Sequence, residues 1–407
     1  MLTNDPIARG YLRKDGRKGL RNKVLVMFTV DCSSFVAQKI GQHFRELGED
    51  VDVVGSRACE DNQLNIRRML AYSIHPNVGA VVIVGNGCEH TRIGKLCEFA
   101  RENGRLAEWF YLQEVGGTVK GIEHGIHIVN GFLEELRKQE TVDFYLKDLC
   151  LGGECGGSDF ASGLAGNPLV GALFDELVDI GATCIFEEMV ESIGLRDFLV
   201  NRGVDDKAKK DIGDTYDKTV HICKMSGQFS IAPGNMNGGL TTVEEKSMGA
   251  VAKGGTRQIQ GILKVGQKPP HAGLWMMDNM NDNAYDVSFI FGGDAYSMMD
   301  LITLGTHFNL LVTGRGHTVN NPIAPTLKIT GNPKTYEKLK DDIDINAGKM
   351  LLGVSTMEEM KKELLDYIIR LCNGGKTLGE KHGHCEAEFV NGYQDYRKVV
   401  RPLNCLA

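Results

Sequence analysis

Four cysteines stand at points where strand-like, apolar stretches give way to turns. Cys32 follows KVLVMFTV, Cys59 follows DVDVVG, Cys88 follows NVGAVVIVG, and Cys155 lies in DFYLKDLCLGGECGGSD. Loops that follow parallel strands emerge at one edge of a sheet, where ligands bind. We therefore expect these turns to build one site. The alternative for each cysteine alone is a small, buried, apolar residue.

A single arginine is the best candidate for binding a carboxylate. Arg315 lies between Gly314 and Gly316 at the end of the strand-like segment HFNLLVTGRG. A guanidinium offers two parallel donors, and flanking glycines let a ligand approach the backbone. The alternative is a surface arginine in an ion pair. Arg17 and Arg21 are candidates for a second anionic group, and solvent exposure is the alternative for each.

Two glycine-rich segments supply further candidates for substrate binding. In GNMNGGL, Asn235 and Asn237 can orient substrate hydroxyl groups, beside backbone N–H groups that favour an anion at a helix N-terminus. The alternative is a flexible loop with asparagine in left-handed turns. In CGGSD, Ser158 and Asp159 are predicted to contact the substrate. Because no G-x-S-x-G elbow surrounds Ser158, we reject serine hydrolysis.

Composition excludes several classes of protein. The chain has 407 residues, 42% of them hydrophobic and 24% charged, which is typical of soluble globular proteins. Its formal net charge is −7 with dispersed basic residues, so we expect no nucleic-acid partner. No apolar run approaches the roughly 20 residues of a membrane span, and the N-terminus lacks the apolar core of a signal peptide. We therefore expect a cytoplasmic protein whose 11 cysteines are free thiols.

Strand-like segments alternate with helical ones, which predicts an α/β fold of mostly parallel sheets with flanking helices. We predict two domains, 1–142 and 143–407. Asn167 is predicted to cap a helix that has Pro168 in its first turn and ends before Gly181. The same patterns predict strands at 23–30, 50–55, 77–85, 182–188, 287–293, 307–316 and 324–332, and helices at 35–48, 91–104, 334–351 and 355–375.

Several long motifs occur in an order that is typical of one family. They are RKDGRKGLRN, HPNVGAVVIVGNGCE, GGECGGSDFASGLAGNP, PGNMNGGLTTVEEKSMGAVAKGG and LVTGRG…APTLKITGN…DINAGKML. Together they resemble the large catalytic part of the altronate/galactarate dehydratase family, which includes the large subunit of (2R)-sulfolactate sulfo-lyase. Family dehydratases often carry a small SAF-type domain before this part. Its absence before DGRKGLRN predicts a separate small SAF-type subunit and a homo- or hetero-oligomer, and HTVNNPIAP departs from the TPFG-like run of sugar-acid dehydratases.

The resemblance implies β-elimination from a small 2-hydroxy acid, with loss of water or sulfite and formation of a 2-keto acid. It also implies iron(II), with manganese(II) as the alternative, to stabilise the developing enolate. The candidate metal ligands are Cys32, Cys59, Cys88, Cys155 and Glu188. An iron–sulfur cluster is disfavoured, because the cysteine spacings match no compact cluster motif.

His317, Lys246 and His90 are the candidates for the general base within this chain, and the small partner is another source. His90 is also a possible metal ligand. Lys246 has the alternative of a surface residue. Two other classes of function stay open: a non-catalytic subunit that binds a small acid or acts as a scaffold, and an NAD-type oxidoreductase. The second lacks its G-x-G-x-x-G fingerprint.

Overall fold

A computed structural model describes residues 5–57, 59, 63–227, 229–280, 293–386 and 388–389. The chain divides into two compact units. The N-terminal unit comprises Arg9–Asp143 and the described residues after Cys385, and the C-terminal unit comprises Phe144–Cys385 and the described residues up to Ala8. The predicted domains were continuous segments, whereas each unit also includes residues from the opposite end of the chain.

The N-terminal unit is built around a parallel five-stranded sheet of order β15-β4-β3-β5-β6. A small sheet of order β2-β1-β7 accompanies it. The strands are β1 (Ala8–Leu12), β2 (Lys18–Gly19), β3 (Lys23–Phe28), β4 (Val51–Ser56), β5 (Val78–Gly85), β6 (Leu106–Tyr111), β7 (Val142–Phe144) and β15 (Glu388–Phe389). The helices are α1 (Asp31–Glu46), α2 (Gln63–Ser73), α3 (Ile93–Glu102), α4 (Leu112–Val115) and α5 (Thr118–Leu136).

Helices α1 and α5 cover one face of this sheet. Val26, Val82, Ile40 and Val129 belong to one buried apolar cluster that joins the strands to both helices. Buried parallel strands have apolar residues on both faces, which explains why the sequence of β3 is an almost continuous apolar run. Helix α1 begins earlier than predicted, at Asp31, and its first turn includes the buried Ser33, whose hydroxyl lies within hydrogen-bonding distance of the Val30 and Val84 carbonyls.

The C-terminal unit contains a parallel seven-stranded sheet of order β10-β11-β9-β8-β12-β13-β14. Its strands are β8 (Cys150–Cys155), β9 (Thr183–Glu187), β10 (Ile259–Lys264), β11 (Gly273–Asp278), β12 (Phe308–Val312), β13 (Thr326–Thr330) and β14 (Ile345–Asn346). Its helices are α6 (Asn167–Asp179), α7 (Arg196–Asn201), α8 (Asp206–Ser226), α9 (Pro233–Asn237), α10 (Val243–Val251), α11 (Asp294–Thr303), α12 (Pro333–Lys338), α13 (Met357–Cys372) and α14 (Leu378–His382).

The predicted α/β class with mostly parallel sheets and flanking helices is confirmed. In the C-terminal unit the strand order reverses beside β8, because β9 lies on one side of β8 and β12 on the other. Open parallel sheets bind ligands in the crevice at such a point, outside the carboxyl ends of the strands. Among the described residues, no helix has the length and hydropathy that a bilayer span requires.

Two sequence predictions of local structure were wrong. Asn167 is the first residue of α6 rather than its cap, because a π-helical turn, Ser162–Gly166, already leads into the helix. The predicted helix 334–351 contains instead α12, β14 and a short 3-10 turn. Pairing of β14 with β13 overrides local helix propensity there. The predicted strand 287–293 lies outside the described residues except for Gly293.

Two glycines of α5 give a matched test of the packing between α5 and α1. A Cβ atom at Gly125 would lie 2.2 Å from Cδ1 and 3.0 Å from Cγ1 of the buried Ile40, whereas a Cβ atom at Gly131 would meet nothing within 4 Å. We expect Gly125→Ala to lower the free energy of unfolding by about 1–3 kcal/mol through overpacking. Gly131→Ala should raise it by up to about 1 kcal/mol through helix propensity. Urea unfolding measures both, and equal effects would contradict the packing described here.

Candidate active site

Two turns at the carboxyl ends of β8 and β12 form the centre of the candidate site. The Gly156 amide donates to the Val312 carbonyl at 3.0 Å, which ties the two turns together. Gly157 has φ +60°, and a side chain there would lie 3.5 Å from Thr313 and 3.7 Å from Arg315. The two turns therefore lie in close contact, and Gly157 has the left-handed backbone conformation that favours glycine.

Asp159 joins three segments of the site and is almost fully buried. Its Oδ1 accepts hydrogen bonds from the amide of Ser162 at 2.9 Å and from its hydroxyl at 3.0 Å. Its Oδ2 accepts from Asn332 Nδ2 at 2.7 Å, at the end of β13. A Cβ atom at Gly314 would lie 2.2 Å from Asp159 Cγ, so glycine is needed at that position. Asp159 therefore fixes the β8 turn against the turns that follow β12 and β13.

The GNMNG segment forms the short helix α9 and packs against both central turns. Asn235 is buried, and its Nδ2 donates to the Ser158 carbonyl at 3.0 Å. Arg315 Nη1 donates to the Gly234 carbonyl at 2.6 Å. Asn237 lies on the exposed side of the same helix. The structure thus brings together Ser158, Asp159, Asn235 and Arg315, which the sequence predicted for substrate binding, whereas the predicted Asn237 is exposed.

Arg315 is exposed, and within the described part of the chain no carboxylate pairs with it. Its bond to the Gly234 carbonyl holds one end of the guanidinium and leaves the other donors available to a ligand. A planar guanidinium anchored in this way can bind a carboxylate through two parallel hydrogen bonds.

A cavity of about 310 Å³ lies beside the β8 turn, and Lys246 is one of its polar lining residues. Ser158 and Asp159 line the cavity with Lys246, and Leu164 and Met248 contribute apolar walls. Lys246 is buried on α10, where its Nζ donates to the Ser230 carbonyl and lies 3.9 Å from Glu191 Oε1. The prediction that Lys246 serves as a base stays a prediction, but its ammonium is inside the site rather than on the surface.

His317 is held at both ring nitrogens. Its Nδ1 accepts the Val319 amide at 3.1 Å, and its Nε2 lies 3.0 Å from Asp294 Oδ2. An accepting Nδ1 means that the neutral ring carries its proton on Nε2 and donates it to Asp294. His317 therefore has no unoccupied lone pair in this arrangement, and it would have to leave one of these partners to act as a base.

Three glutamates, Glu154, Glu187 and Glu188, are buried at the ends of β8 and β9, and Glu191 lies half-buried just beyond β9. Gly153 of β8 pairs with Phe186 of β9, and the next residue of each strand is a buried glutamate: Glu154 in β8 and Glu187 in β9. Burial, and after it the charge of Glu191, raise the pKa of Glu187 to about 8. Burial also raises the pKa of Glu154 well above its usual range. Burial raises the pKa of Glu191, whereas the Lys246 ammonium opposes that shift.

Sequence reasoning missed Glu154, Glu187 and Glu191 as parts of this region, as well as Asp294 and Lys253. Charged residues within otherwise apolar strands were the available signal, because such residues are seldom buried without a partner. Glu188, predicted as a metal ligand, is fully buried, and its Oε1 accepts the Cys155 amide at 3.1 Å while it pairs with Lys253.

The N-terminal unit has its own cluster of turns at the carboxyl edge of β4, β3 and β5. Cys32, Cys59 and Cys88 are exposed there, each a few residues beyond one of these adjacent strands. The His90 amide donates to the Cys59 carbonyl at 3.1 Å. Glu89 fastens the edge, because its carboxylate accepts from the Thr29 hydroxyl at 2.9 Å and from the backbone of its own turn. Cys155 is buried at the edge of the other sheet, so the four cysteines do not share one sheet edge.

The described residues do not fit a preformed metal site. Among them, no group of three or more His, Cys, Asp or Glu side chains is arranged to hold a metal ion. The one cationic partner that the structure gives Glu188 is Lys253. The predicted ligands Cys32, Cys59, Cys88, Cys155 and Glu188 therefore stay a prediction, and no chemical step is derived through a metal below.

Two predicted residues of the N-terminal unit lie away from the cysteines. Arg17 donates through Nη2 to the Ile74 carbonyl at 3.0 Å and pairs with Asp15. The side chain of Arg21 is buried just before β3. Both therefore lie at the amino ends of β3 and β5, whereas Cys32 lies at the carboxyl end. The side chain of His90 is exposed at that carboxyl edge.

Comparison with known proteins places this arrangement in a family. Residues 146–394 match the family model "D-galactarate/Altronate dehydratase, C-terminal", and residues 10–137 match "D-galactarate dehydratase/Altronate hydrolase, second domain". The chain belongs to the D-galactarate/altronate dehydratase family, and it is a lyase.

Three relatives show the range of names within this family. The chain is 29% identical to the (2R)-sulfolactate sulfo-lyase subunit beta of Chromohalobacter salexigens, across 95% of this chain and 97% of that protein. It is 30% identical to the altronate dehydratase of Escherichia coli, across 94% of this chain and 77% of the relative. It is 29% identical to the galactarate dehydratase (L-threo-forming) of the same organism, across 78% of this chain and 61% of the relative.

The bond between Asp159 and Asn332 can be tested by exchanging its two partners. Asp159→Asn places two amide groups against each other, and Asn332→Asp places two carboxylates against each other. Each single variant should therefore lower the free energy of unfolding by about 1–3 kcal/mol. The double variant restores one donor and one acceptor, and we expect it to lose about 1–2 kcal/mol less than the sum of the single variants. Chemical unfolding measures the cycle. As a control, Asn237→Asp, on the exposed side of α9, and Asp159→Asn should have additive effects on the free energy of unfolding. Additive effects of Asp159→Asn and Asn332→Asp as well would contradict the contact.

The raised pKa of Glu187 predicts how stability depends on pH. A carboxyl whose pKa is about 8 when folded and 4.5 ordinarily binds its proton more tightly in the folded state, so its contribution to stability falls as pH rises between those values. Glu187→Gln removes this loss. We compare the free energy of unfolding of the variant with that of the native chain. The difference should shift in favour of the variant by roughly 1–4 kcal/mol from pH 5 to pH 8.5. Urea unfolding at both pH values measures this gain, with the exposed Glu337→Gln as control, and parallel pH profiles for all three proteins would refute the assignment.

Proposed function

We propose that this lyase eliminates a leaving group from the carbon next to the hydroxyl-bearing carbon of a small 2-hydroxy acid, and gives a 2-keto acid. The observation that carries this proposal is the convergence of Ser158, Asp159, Asn235 and Arg315 at the reversal of strand order beside β8. The names of the relatives support the reaction class, since they are dehydratases of sugar acids and a sulfo-lyase.

The proposed steps use side chains of the C-terminal unit. Arg315 binds the substrate carboxylate with its available donors. Lys246 removes the proton from the carbon that bears the hydroxyl and the carboxylate, as lysine bases do in enolase-superfamily sites. The electron pair of that C–H bond forms a C=C bond, the leaving group departs with its own bonding pair, and the resulting enol tautomerises to the 2-keto acid.

The two candidate leaving groups differ in what they require. A departing hydroxyl needs a proton, whereas sulfite departs as a stable anion. The match across 97% of a protein named as a sulfo-lyase subunit supports sulfolactate, and the matches to altronate and galactarate dehydratases support a sugar acid. We keep both substrates. The name "subunit beta" of the first relative also supports a separate partner subunit, which we propose to be small and of SAF type.

We also propose iron(II) as the metal of the reaction, with manganese(II) as the alternative. Support comes from the exposed thiols of Cys32, Cys59 and Cys88, because thiolates are soft ligands that favour iron over magnesium.

Substitution of Arg315 tests the proposed function most simply. The native chain, reconstituted anaerobically with iron(II) and a small SAF-type subunit, should convert sulfolactate with release of sulfite, or altronate or galactarate with formation of a 3-deoxy-2-keto acid. Arg315→Ala should lower kcat/KM about 100-fold through loss of two charge-assisted hydrogen bonds. Arg315→Lys should recover only part of this loss. The exposed Arg196→Ala serves as control, and equal kcat/KM values for Arg315→Ala and this control would remove Arg315 from the site.

Metal content tests the predicted cysteine ligands. We expect Cys88→Ala and Cys155→Ala each to lose bound iron while the fold stays intact, because thiolates contribute directly to affinity. Cys385→Ala, an exposed cysteine outside the predicted set, should retain iron. Elemental analysis of anaerobically purified chains measures the effect, and unchanged iron in both test variants would exclude these two ligands.

A further inference from the structure

Lys253 and Glu188 form an ion pair inside the C-terminal unit, and both side chains have 0% exposure. Lysine is among the residues least often fully buried, since desolvation of its ammonium is costly. The pair lies at the level where β8 ends, directly beside the candidate active site. A buried charge pair at this place needs an explanation other than ordinary packing.

The fold provides a specific path for the lysine. Lys253 lies on a 3-10 turn, Ala252–Gly254, that packs closely on α6. A Cβ atom at Gly171 of that helix would lie 2.1 Å from the Ala252 carbonyl oxygen. A Cβ atom at Gly153 of β8 would lie 3.7 Å from Lys253 Cδ. The lysine stem therefore runs beneath the glycines of β8 to reach Glu188.

Glu188 in turn holds the start of the β8 turn. Its Oε1 accepts the Cys155 amide at 3.1 Å. The Cys155 thiol accepts the Ser158 hydroxyl at 3.2 Å, and the Ser158 carbonyl accepts Asn235 Nδ2 at 3.0 Å. A continuous series of hydrogen bonds thus leads from the buried ion pair to the α9 segment that also contacts Arg315.

We propose that Glu188 is a positioning residue of the active site: its carboxylate fixes the Cys155 amide and with it the turn that carries Ser158 and Asp159, and Lys253 neutralises the buried charge of that carboxylate. This inference rests on the proposed function for its catalytic consequence. It also assigns Glu188 a role other than metal binding, in which its Oε1 is shared between Lys253 and the Cys155 amide.

Stability alone does not explain the pair. Replacement of a buried ion pair by neutral side chains of similar volume is often neutral or stabilising, whereas removal of one partner leaves a buried charge unpaired. A pair of double variants therefore separates the two roles. Lys253→Met with Glu188→Gln removes both charges and keeps an acceptor for the Cys155 amide. Lys253→Met with Glu188→Leu removes both charges and the acceptor.

Amide hydrogen exchange reads out the position of the turn without any substrate. We expect the Cys155 amide in the Met/Gln variant to exchange within a few fold of the native rate, and in the Met/Leu variant at least about tenfold faster. Amides of α13 serve as the internal reference and should be unchanged in both. If the Met/Leu variant does not fold, the single variants Glu188→Met and Glu188→Gln make the same comparison with Lys253 in place.

Equal hydrogen-exchange rates of the Cys155 amide in the Met/Gln and Met/Leu variants would overturn the proposal. So would a native exchange rate of this amide in both variants together with loss of bound iron from both. In the reconstituted system, the Met/Leu variant should lose about 10- to 100-fold in kcat and the Met/Gln variant less than threefold. Absence of turnover in the native chain with all three acids would refute the proposed function but leave the exchange comparison valid.

Discussion

The reversal of strand order beside β8 is the constraint on which the candidate site depends. Because β9 and β12 lie on opposite sides of β8, the chain leaves the sheet in two directions there and a crevice remains between the turns. Glycines at the ends of β8 and β12 allow neighbouring side chains to pack closely against the turns, and Asp159 holds the turns at a fixed separation. Arg315 at this edge donates to the Gly234 carbonyl of α9 and keeps its other donors for a ligand.

Buried charge is the second feature that shapes the site. Glutamates at the ends of β8 and β9 are removed from water, so their pKa values rise and they favour the protonated form. Glu188 is instead paired with Lys253. The ends of β8 and β9 therefore combine carboxyl groups of raised pKa with a buried ion pair, directly beside the turn that carries Ser158 and Asp159.

The sequence predicted the α/β class, the central strands and the segments that meet at the C-terminal edge, because buried parallel strands and glycine turns leave clear patterns. It could not predict which sheet each turn joins. Cys155 follows a strand as Cys88 does, yet strand order in the fold assigns them to different sheets. Lys253 was equally hidden, because a lysine on a helical segment is usually exposed and only tertiary packing on α6 buries it. Pairing of β14 with β13 likewise depends on contacts that no local window contains.

We expect the edge beside β8 to bind the carboxylate of a 2-hydroxy acid. A crystal structure of the chain with a 2-hydroxy acid that lacks a leaving group would show this contact. In that structure the ligand carboxylate should lie within hydrogen-bonding distance of the Arg315 guanidinium, with the rest of the molecule against the turn of Ser158 and Asp159. A ligand bound instead at the cysteine turns of the N-terminal unit, with the crevice beside β8 empty, would contradict it.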